Sequence, residues 1–441
     1  MHWMEIVAAD KRTNPLLPVA NPTLSYWRSQ PHRLDSHRST EELPETCDVA
    51  IIGAGFSDSN NKTESPPPSI VLLEARQVCS GATGRNGGHV KLKPTSITSI
   101  IQKHGPAAAD QFAALVRAQL DALKEIVERE RLDDCEFELR RSYDVFLHAD
   151  EAAEMEAKWR ECRERGYPWT REHDFVGARF AERVTSVRGA KAAFSGPACS
   201  LWPYKLVTQL LERAMERNPR LNLQTETPVV SVEALDGGRS GTVIHTDRGS
   251  IRAKKVVFAT NAYTAGLLPQ YQGVINPYRG TASHLAPPKG ADPVFPHLSH
   301  TYNIEYGLQY PAASTVDYLN PRPDGGIVVG GGRWLFQEPQ ELWQNNIDDS
   351  TLIGPVLEVG YFEEYMQRVF RGWESSGTEL DKVWTGIMAA TNDGMPHIGK
   401  VPQRENQWVI AAFNGGGMTQ ILLLGKAIAD MVKNDKPIRG D

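Results

Sequence analysis

The stretch GAGFSDSNNKTESPPPSIVLLEARQVCSGATGRNGG occupies residues 53–88 and decides the fold. It follows CDVAII (47–52), a run apolar on both faces, as in a strand buried in a parallel sheet. SIVLLEA (69–75) is a second such run. Gly53-Ala54-Gly55 between them reads as the tight turn where backbone approaches a dinucleotide phosphate, and Glu74 as an acid placed for ribose hydroxyls. The helix that should follow the first turn is missing. Asp58 stands where a third glycine belongs, and Ser59 to Ser69 is polar and ends in Pro66-Pro67-Pro68, so no amphipathic helix fits. Losing four or five buried apolar side chains there forfeits roughly 6–15 kcal/mol. Three readings stay open: a shortened gene model, which we favour, a degenerate paralogue, or cover from another segment such as the N-terminal arm.

The rest of the chain supplies matching pieces. Residues 80–88, SGATGRNGG, place three glycines within five residues beside Thr83, Arg85 and Asn86, offering N–H groups and a guanidinium to a pyrophosphate or an electron-rich ring edge. ATNAYT (259–264) follows the buried run VVFA. FNGGGMTQILLLGKAIADMV (413–432) runs from a strand through Gly415, Gly416 and Gly417 straight into a helix, whose N-terminus favours negative charge. Helices are expected at 106–130, about 150–166 and 202–214, and a polar helical stretch at about 340–372. Residues 221–258 read as a small antiparallel meander returning to a buried strand. No internal repeat is visible.

The interleaving suggests one discontinuous nucleotide domain with a second domain inserted in two parts. The expected boundaries are an arm at 1–46, nucleotide-domain segments at 47–134, 196–275 and 379–441, and substrate-domain segments at 135–195 and 276–378.

Composition narrows the class. The 441 residues hold 48 basic and 54 acidic side chains, with no basic run, which argues against nucleic acid and an anionic membrane as partners. The five cysteines are scattered and form no CxxC, so neither a disulfide framework nor a metal site is expected, and a reducing, cytoplasmic setting is. No signal peptide or membrane span is read.

With these motifs in place, the chain resembles the D-amino-acid oxidase (DAO) family of FAD-dependent oxidoreductases, in the branch near glycine and sarcosine oxidases and gamma-glutamylputrescine oxidoreductase. VLLEARQVCSGATGRNGGHVK, VVFATNAYT, WTGIMAATNDGMPHIG and FNGGGM carry the likeness, which runs from about Asn21 to the last helix. The resemblance implies an α/β fold: a Rossmann-like FAD/NAD(P)-binding domain with an inserted, mainly antiparallel α+β substrate domain. It implies that Gly53, Gly55, Glu74, Ala75 and Arg76 hold the ADP half of FAD and that Val229 touches adenine through its backbone. Thr83, Gly84, Arg85, Asn86, Gly87 and Gly88, with Gly415, Gly416, Gly417, Met418 and Thr419, would hold the isoalloxazine end. Ala259, Thr260 and Asn261 complete the set.

The implied reaction is oxidation of a C–N bond in an amine or an amino-acid-derived metabolite, with hydride passing to flavin N5. The alternative is a non-catalytic or truncated relic that binds FAD poorly or not at all. A different Rossmann enzyme, such as an NAD-dependent one, leaves the two glycine segments without a job. Where D-amino-acid and glycine oxidases carry a carboxylate-binding Arg, this chain has Met388, which also denies it the cysteine that tethers flavin in sarcosine oxidase. Non-covalent FAD is therefore expected. GIVVG (326–330) lacks the Lys that sarcosine oxidase uses to activate oxygen, so the electron acceptor stays open.

No catalytic residue stands out. His89 and Lys91 either face the flavin or serve as a loop hydrogen-bonder and a solvated charge. Tyr302, Tyr306, Tyr318 and Arg322 are pocket residues or half-buried strand residues. His397 reads as a turn brace. Arg333 pairs with an acidic substrate group or makes a surface salt bridge.

Overall fold

A computed structural model describes residues 15–55, 66–290, 296–307 and 315–435. The segment read as lacking its helix, including Asp58, lies largely outside them; residues 66–69 are non-helical.

β1 (Thr46–Ile52) and β2 (Ile70–Leu73) come first, then β3 (His89–Lys91), α1 (Pro94–His104) and α2 (Pro106–Glu130). β4 (Glu138–Phe146), α3 (Ala149–Glu164), β5 (Asp174–Val176), α4 (Ala178–Thr185) and β6 (Ala192–Ser200) follow. Next are α5 (Pro203–Arg217), β7 (Leu221–Gln224), β8 (Val229–Ala234), β9 (Thr242–Thr246), β10 (Gly249–Phe258) and α6 (Thr264–Leu267). β11 (Ile275–Ala286), β12 (Thr301–Glu305), β13 (Val316–Pro321) and β14 (Ile327–Gly330) lead to α7 (Gly354–Glu358) and α8 (Tyr365–Val369). β15 (Glu379–Thr391), β16 (His397–Lys400), β17 (Gln407–Ala411) and α9 (Ile421–Asn434) end the described chain.

Two sheets organise these elements. The first has the order β16-β17-β10-β1-β2-β7, parallel from β17 to β7, with β8 and β9 hairpinned onto β10. The second has the order β15-β11-β14-β13-β12-β4-β6-β3, antiparallel except for β4 beside β12. This is the α/β arrangement expected, a Rossmann-like sheet with an inserted, mainly antiparallel one. Three strand placements differ from the expected boundaries. β3 and β15 belong to the second sheet, and the expected break at 195/196 falls inside β6. The strands at both ends of the second sheet, β3 and β15, thus come from segments assigned to the first domain.

The helices expected at 106–130 and 202–214 form as α2 and α5, the latter running on to Arg217. α2 buries Val116, Leu120, Leu123 and Val127 on one face, each contributing about 1.5–3 kcal/mol. The stretch at 340–372 is not one helix. Gly354-Pro355 and Gly360, at φ 57°, interrupt it, and it covers the second sheet with Phe362, Tyr365, Met366 and Phe370 instead.

The two faces of β1 are covered differently. On one face of β1, Ala50 and Ile52 are sealed in a core with Ala265, Leu267 and Ile387. On the other, Val49 and Ile51 are only half-buried, at the edge of the cluster that α9 makes with Trp408 and Ile410. No described residue of the arm belongs to that cluster. The arm runs elsewhere: Arg38 bridges to Gln224 at the β7 edge, and Tyr26, Trp27 and Leu34 enter the core beside α5.

Candidate active site

The site begins where β1 ends. Gly53 sits at φ 107°, and a Cβ there would lie 2.5 Å from the carbonyl oxygen of Ala259, so only glycine lets the ends of β1 and β10 close on each other. One strand over, Glu74 directly follows β2. Its carboxylate accepts from the N–H of Ala54 (3.0 Å) and of Arg76 (3.1 Å), which fixes it beside the turn. Ala75, Thr83, Val229, Ala259, Thr260 and Asn261 line the same cleft as Gly53, Gly55 and Glu74. Thr83 lies against Gly55, its hydroxyl 3.3 Å from where a Cβ would stand. The first turn and the glycine loop are therefore two walls of one cleft.

The loop at 80–88 is clamped from several sides. Trp27 donates its indole N–H to the Asn86 carbonyl (2.6 Å), and the Ser25 hydroxyl donates to the Gly84 carbonyl (2.5 Å). Trp384 donates to the Arg85 carbonyl (2.9 Å), and Asn320 donates to the carbonyls of Gly87 and Gly88 (both 2.8 Å). Asn86 spends its own side chain inside the loop, donating to Thr83 and accepting from Gly88. The sequence suggested the Arg85 guanidinium as a cofactor ligand. It bonds instead to the carbonyls of Ser80, Thr23 and Thr385, and Arg76 bonds to Asp349 at 2.8 Å. Burial lowers the Arg85 pKa to about 10, with Asp349 opposing the shift.

The second glycine segment reaches the same place. Gly415, at φ 75°, is followed by a 3-10 turn, Gly417–Thr419, and α9 starts only at Ile421; the glycines do not enter the helix directly. Met418 accepts from Gln119 of α2, and Thr419 ties back to the Gly416 carbonyl (2.6 Å). Asn261 accepts from the N–H of Ala412 (3.0 Å), joining the segment after β10 to the end of β17. β15 connects the two glycine segments. Gly386 packs on Arg85, 3.5 Å from Cβ to Cβ position, and two residues on, Met388 lies 3.9 Å through its sulfur from the Cβ position of Gly415.

Over this junction stand Tyr278, the register partner of Met388, and Tyr318, which packs on Gly87. Burial raises the pKa of both phenols; Asp317 and Tyr278 raise that of Tyr318 further, and Arg333 opposes the shift at Tyr278. The His89 ring lies 5.4 Å from the Tyr318 ring. Burial and the nearby Lys91 charge push its pKa well below the ordinary value, and its buried Nδ1 has no hydrogen-bond partner among the described residues. Lys91 turns away. Its ammonium donates to the Tyr302 carbonyl (2.7 Å) within the second domain, where burial lowers its pKa against the pull of Asp144. Tyr302 likewise donates to the Thr185 carbonyl (3.2 Å), and Arg322 is paired with Glu136. Sequence reasoning missed Trp27, Ser25, Asp349 and Tyr278. Each acts across a long sequence separation, so no local pattern announces it.

A family model described as "DAO: FAD dependent oxidoreductase" matches residues 48–431. The chain belongs to the DAO family of FAD-dependent oxidoreductases. Among curated relatives, it is 21% identical over 402 residues to gamma-glutamylputrescine oxidoreductase of Escherichia coli (strain K12), covering 88% of this chain and 84% of that protein. It is 24% identical over 230 residues to glycine oxidase of Bacillus licheniformis, covering 50% and 52%. Among solved structures, glycine oxidase from Geobacillus kaustophilus superposes with a TM-score of 0.67 at 20% identity over 89% of this chain and 95% of that one. Iminodiacetate oxidase from Chelativorans sp. BNC1 gives 0.63 at 17% identity over 89% and 97%. These likenesses show a shared fold.

The DAO-family cofactor can be tested against the residues present. The close approach at Gly53, the fixed carboxylate of Glu74 and the open backbone of the Gly415 turn suit the two ends of FAD. Cys79 borders the cleft, but burial raises its pKa far above the ordinary value and leaves an unreactive thiol.

Proposed function

We propose that this DAO-family chain oxidises a C–N bond of an amine or an amino-acid-derived metabolite, using FAD held without a covalent bond. The observation that carries the reading is β15, which packs Gly386 on the 80–88 loop and Met388 on the Gly415 turn, so that both glycine segments meet along one strand beside Tyr278 and Tyr318. FAD bound there supplies a hydride acceptor. Gly53, Gly55, Glu74, Ala75 and Val229 take the ADP half. Thr83, Gly87, Gly88 and Gly415 to Thr419 border the ring end. Arg76 and Arg85 contribute by holding the loop rather than by charge at the cofactor.

The chain's own groups then orient the substrate. Hydride leaves carbon most readily when the adjacent nitrogen is neutral, because its lone pair forms the C=N bond. His89, neutral and with a free Nδ1 beside the Tyr318 ring, offers an acceptor for an N–H of the neutral amine. Gly87 and Gly330 let the Tyr318 ring lie flat against the backbone, which keeps water out of the same space. The five cysteines are free and buried, in keeping with a reducing compartment such as the cytoplasm. No helix among the described residues is long and apolar enough to cross a membrane.

The test is direct. The purified chain is precipitated with acid and the supernatant examined for flavin. Flavin in the supernatant supports non-covalent FAD, and flavin left on the pellet refutes it. Anaerobic bleaching of the visible bands by primary and secondary amines and by amino acids then reads the reaction. A panel that leaves the bands unchanged counts against C–N oxidation.

A further inference from the structure

Among the described residues, Arg333 is a cation without an answering charge. It opens the short 3-10 turn Arg333–Phe336 just after β14. Its guanidinium carbon lies 5.2 Å from the centre of the Tyr278 ring and 4.1 Å from that of the Trp343 ring, so aromatic faces hold it. Its Nε is buried and has no hydrogen-bond partner among the described residues. Burial lowers its pKa, and the one electrostatic partner that opposes this is the Tyr278 phenol. The more deeply buried arginines are answered. Arg76 and Arg85 share Asp349, Arg140 pairs with Glu138, Arg322 pairs with Glu136, and Arg279 donates to the carbonyls of Leu342 and Thr351. A guanidinium taken part-way out of water without a counter-charge costs free energy that a bound anion would return.

Its position is built. Gly331 sits at φ 149°, and a side chain there would run into Asp317. Asp317 accepts from the N–H of Gly332 (3.0 Å) and, through its other oxygen, from the hydroxyls of Tyr361 (2.6 Å) and Tyr365 (2.7 Å). Its oxygens are therefore occupied behind the turn, and it pins the backbone that projects Arg333 onto Tyr278. Tyr278 is shared: its ring carries Arg333 and its hydroxyl lies 3.1 Å from the Cβ position of Gly415. The Tyr278 hydroxyl has no hydrogen-bond partner among the described residues, so the ring that carries Arg333 also offers a free donor beside Gly415.

We propose that Arg333 binds a carboxylate of the substrate, with the Tyr278 hydroxyl as a second donor. The substrate is then an amine that also bears a carboxylate, such as an amino acid or an N-substituted amino acid, rather than a simple polyamine. This assignment rests on the C–N oxidation reading above and gives this chain an anion anchor on β14's turn, where Met388 supplies none on β15.

The experiment compares benzoate with benzamide, which match in shape and differ in charge. Binding to the full-length protein is followed by perturbation of the flavin spectrum and by quenching of tryptophan fluorescence, to which Trp343 contributes. Benzoate is expected to bind and benzamide to bind at least about tenfold more weakly, the range of a charge-assisted hydrogen bond. Arg333→Met should weaken benzoate by at least about tenfold and leave benzamide unchanged, and Arg333→Lys should fall between. Equal binding of the two probes by the wild-type protein, or benzoate binding by Arg333→Met within about twofold of wild type, overturns the assignment. The wild-type comparison holds even if a variant fails to fold. A colourless preparation sinks the FAD reading, while the fluorescence titration still decides Arg333.

Discussion

Arg76 donates to Asp349 at 2.8 Å with both side chains almost closed to solvent, and Arg85 places its Nε 3.5 Å from the second oxygen of the same carboxylate. One acid from the loop after β14 thus holds two arginines of the segment that follows β2. This ties the two sheets together directly behind the glycine loop. Replacing Asp349 by Asn keeps the volume and removes the charge from a site with two buried cations. The expected loss is about 3–5 kcal/mol, read from urea unfolding. A loss below about 1 kcal/mol would mean that the arginines are satisfied by carbonyls alone.

At the mouth of the cleft, Gly53→Ala adds a Cβ at 2.5 Å from a backbone oxygen, at a φ that alanine avoids. The strand ends must part, and the phosphate-side wall moves with them. Purified Gly53→Ala is expected to carry much less flavin per protein than wild type, measured as the ratio of visible to ultraviolet absorbance. An unchanged ratio would remove the turn from the cofactor site.

These two sites differ in how far the sequence reveals them. That Gly53, Glu74 and Thr83 of the 80–88 loop share one cleft was legible because glycine at a strand end marks close backbone approach. The same logic misplaced Arg85. A guanidinium in a glycine loop looks like an anion ligand until Asp349 arrives from far along the chain. β15 was placed in the wrong sheet for a related reason, since an apolar strand does not announce which partner it will pair with. The polar, proline-bearing stretch after Gly55 is legible as an anomaly in the sequence, and most of it lies outside the described residues.

Asp317 gives a pH signature. Burial raises its pKa from 3.8 to about 6, against the pull of Tyr361 and Tyr365. Between those values the folded chain keeps a proton that the unfolded chain has released. The stability tied to this group is therefore full at low pH and is lost as pH rises through about 6, by up to about 1.4 kcal/mol per pH unit. Asp317→Asn does not titrate. The stability difference, wild type minus Asp317→Asn, should fall as pH rises across this window, as read by urea midpoints. A flat difference would show a carboxyl that ionises normally.

Trp27 links the arm to the loop through its 2.6 Å bond to the Asn86 carbonyl. Trp27→Phe keeps an aromatic ring and removes the donor. A stability loss of about 1–3 kcal/mol is expected, because the carbonyl is left without its partner in a closed setting. Release of FAD, followed by the return of free-flavin fluorescence on dilution, should be faster than in wild type. An unchanged release rate would make the arm a passive cover.

The most direct test of the account is the visible spectrum of the full-length protein after gel filtration with added FAD, recorded before and after anaerobic addition of an amino acid. A monodisperse yellow protein whose flavin bands bleach is the expected result. A monodisperse protein that stays colourless and takes up no FAD would contradict it, and would leave this chain a relic of the DAO fold.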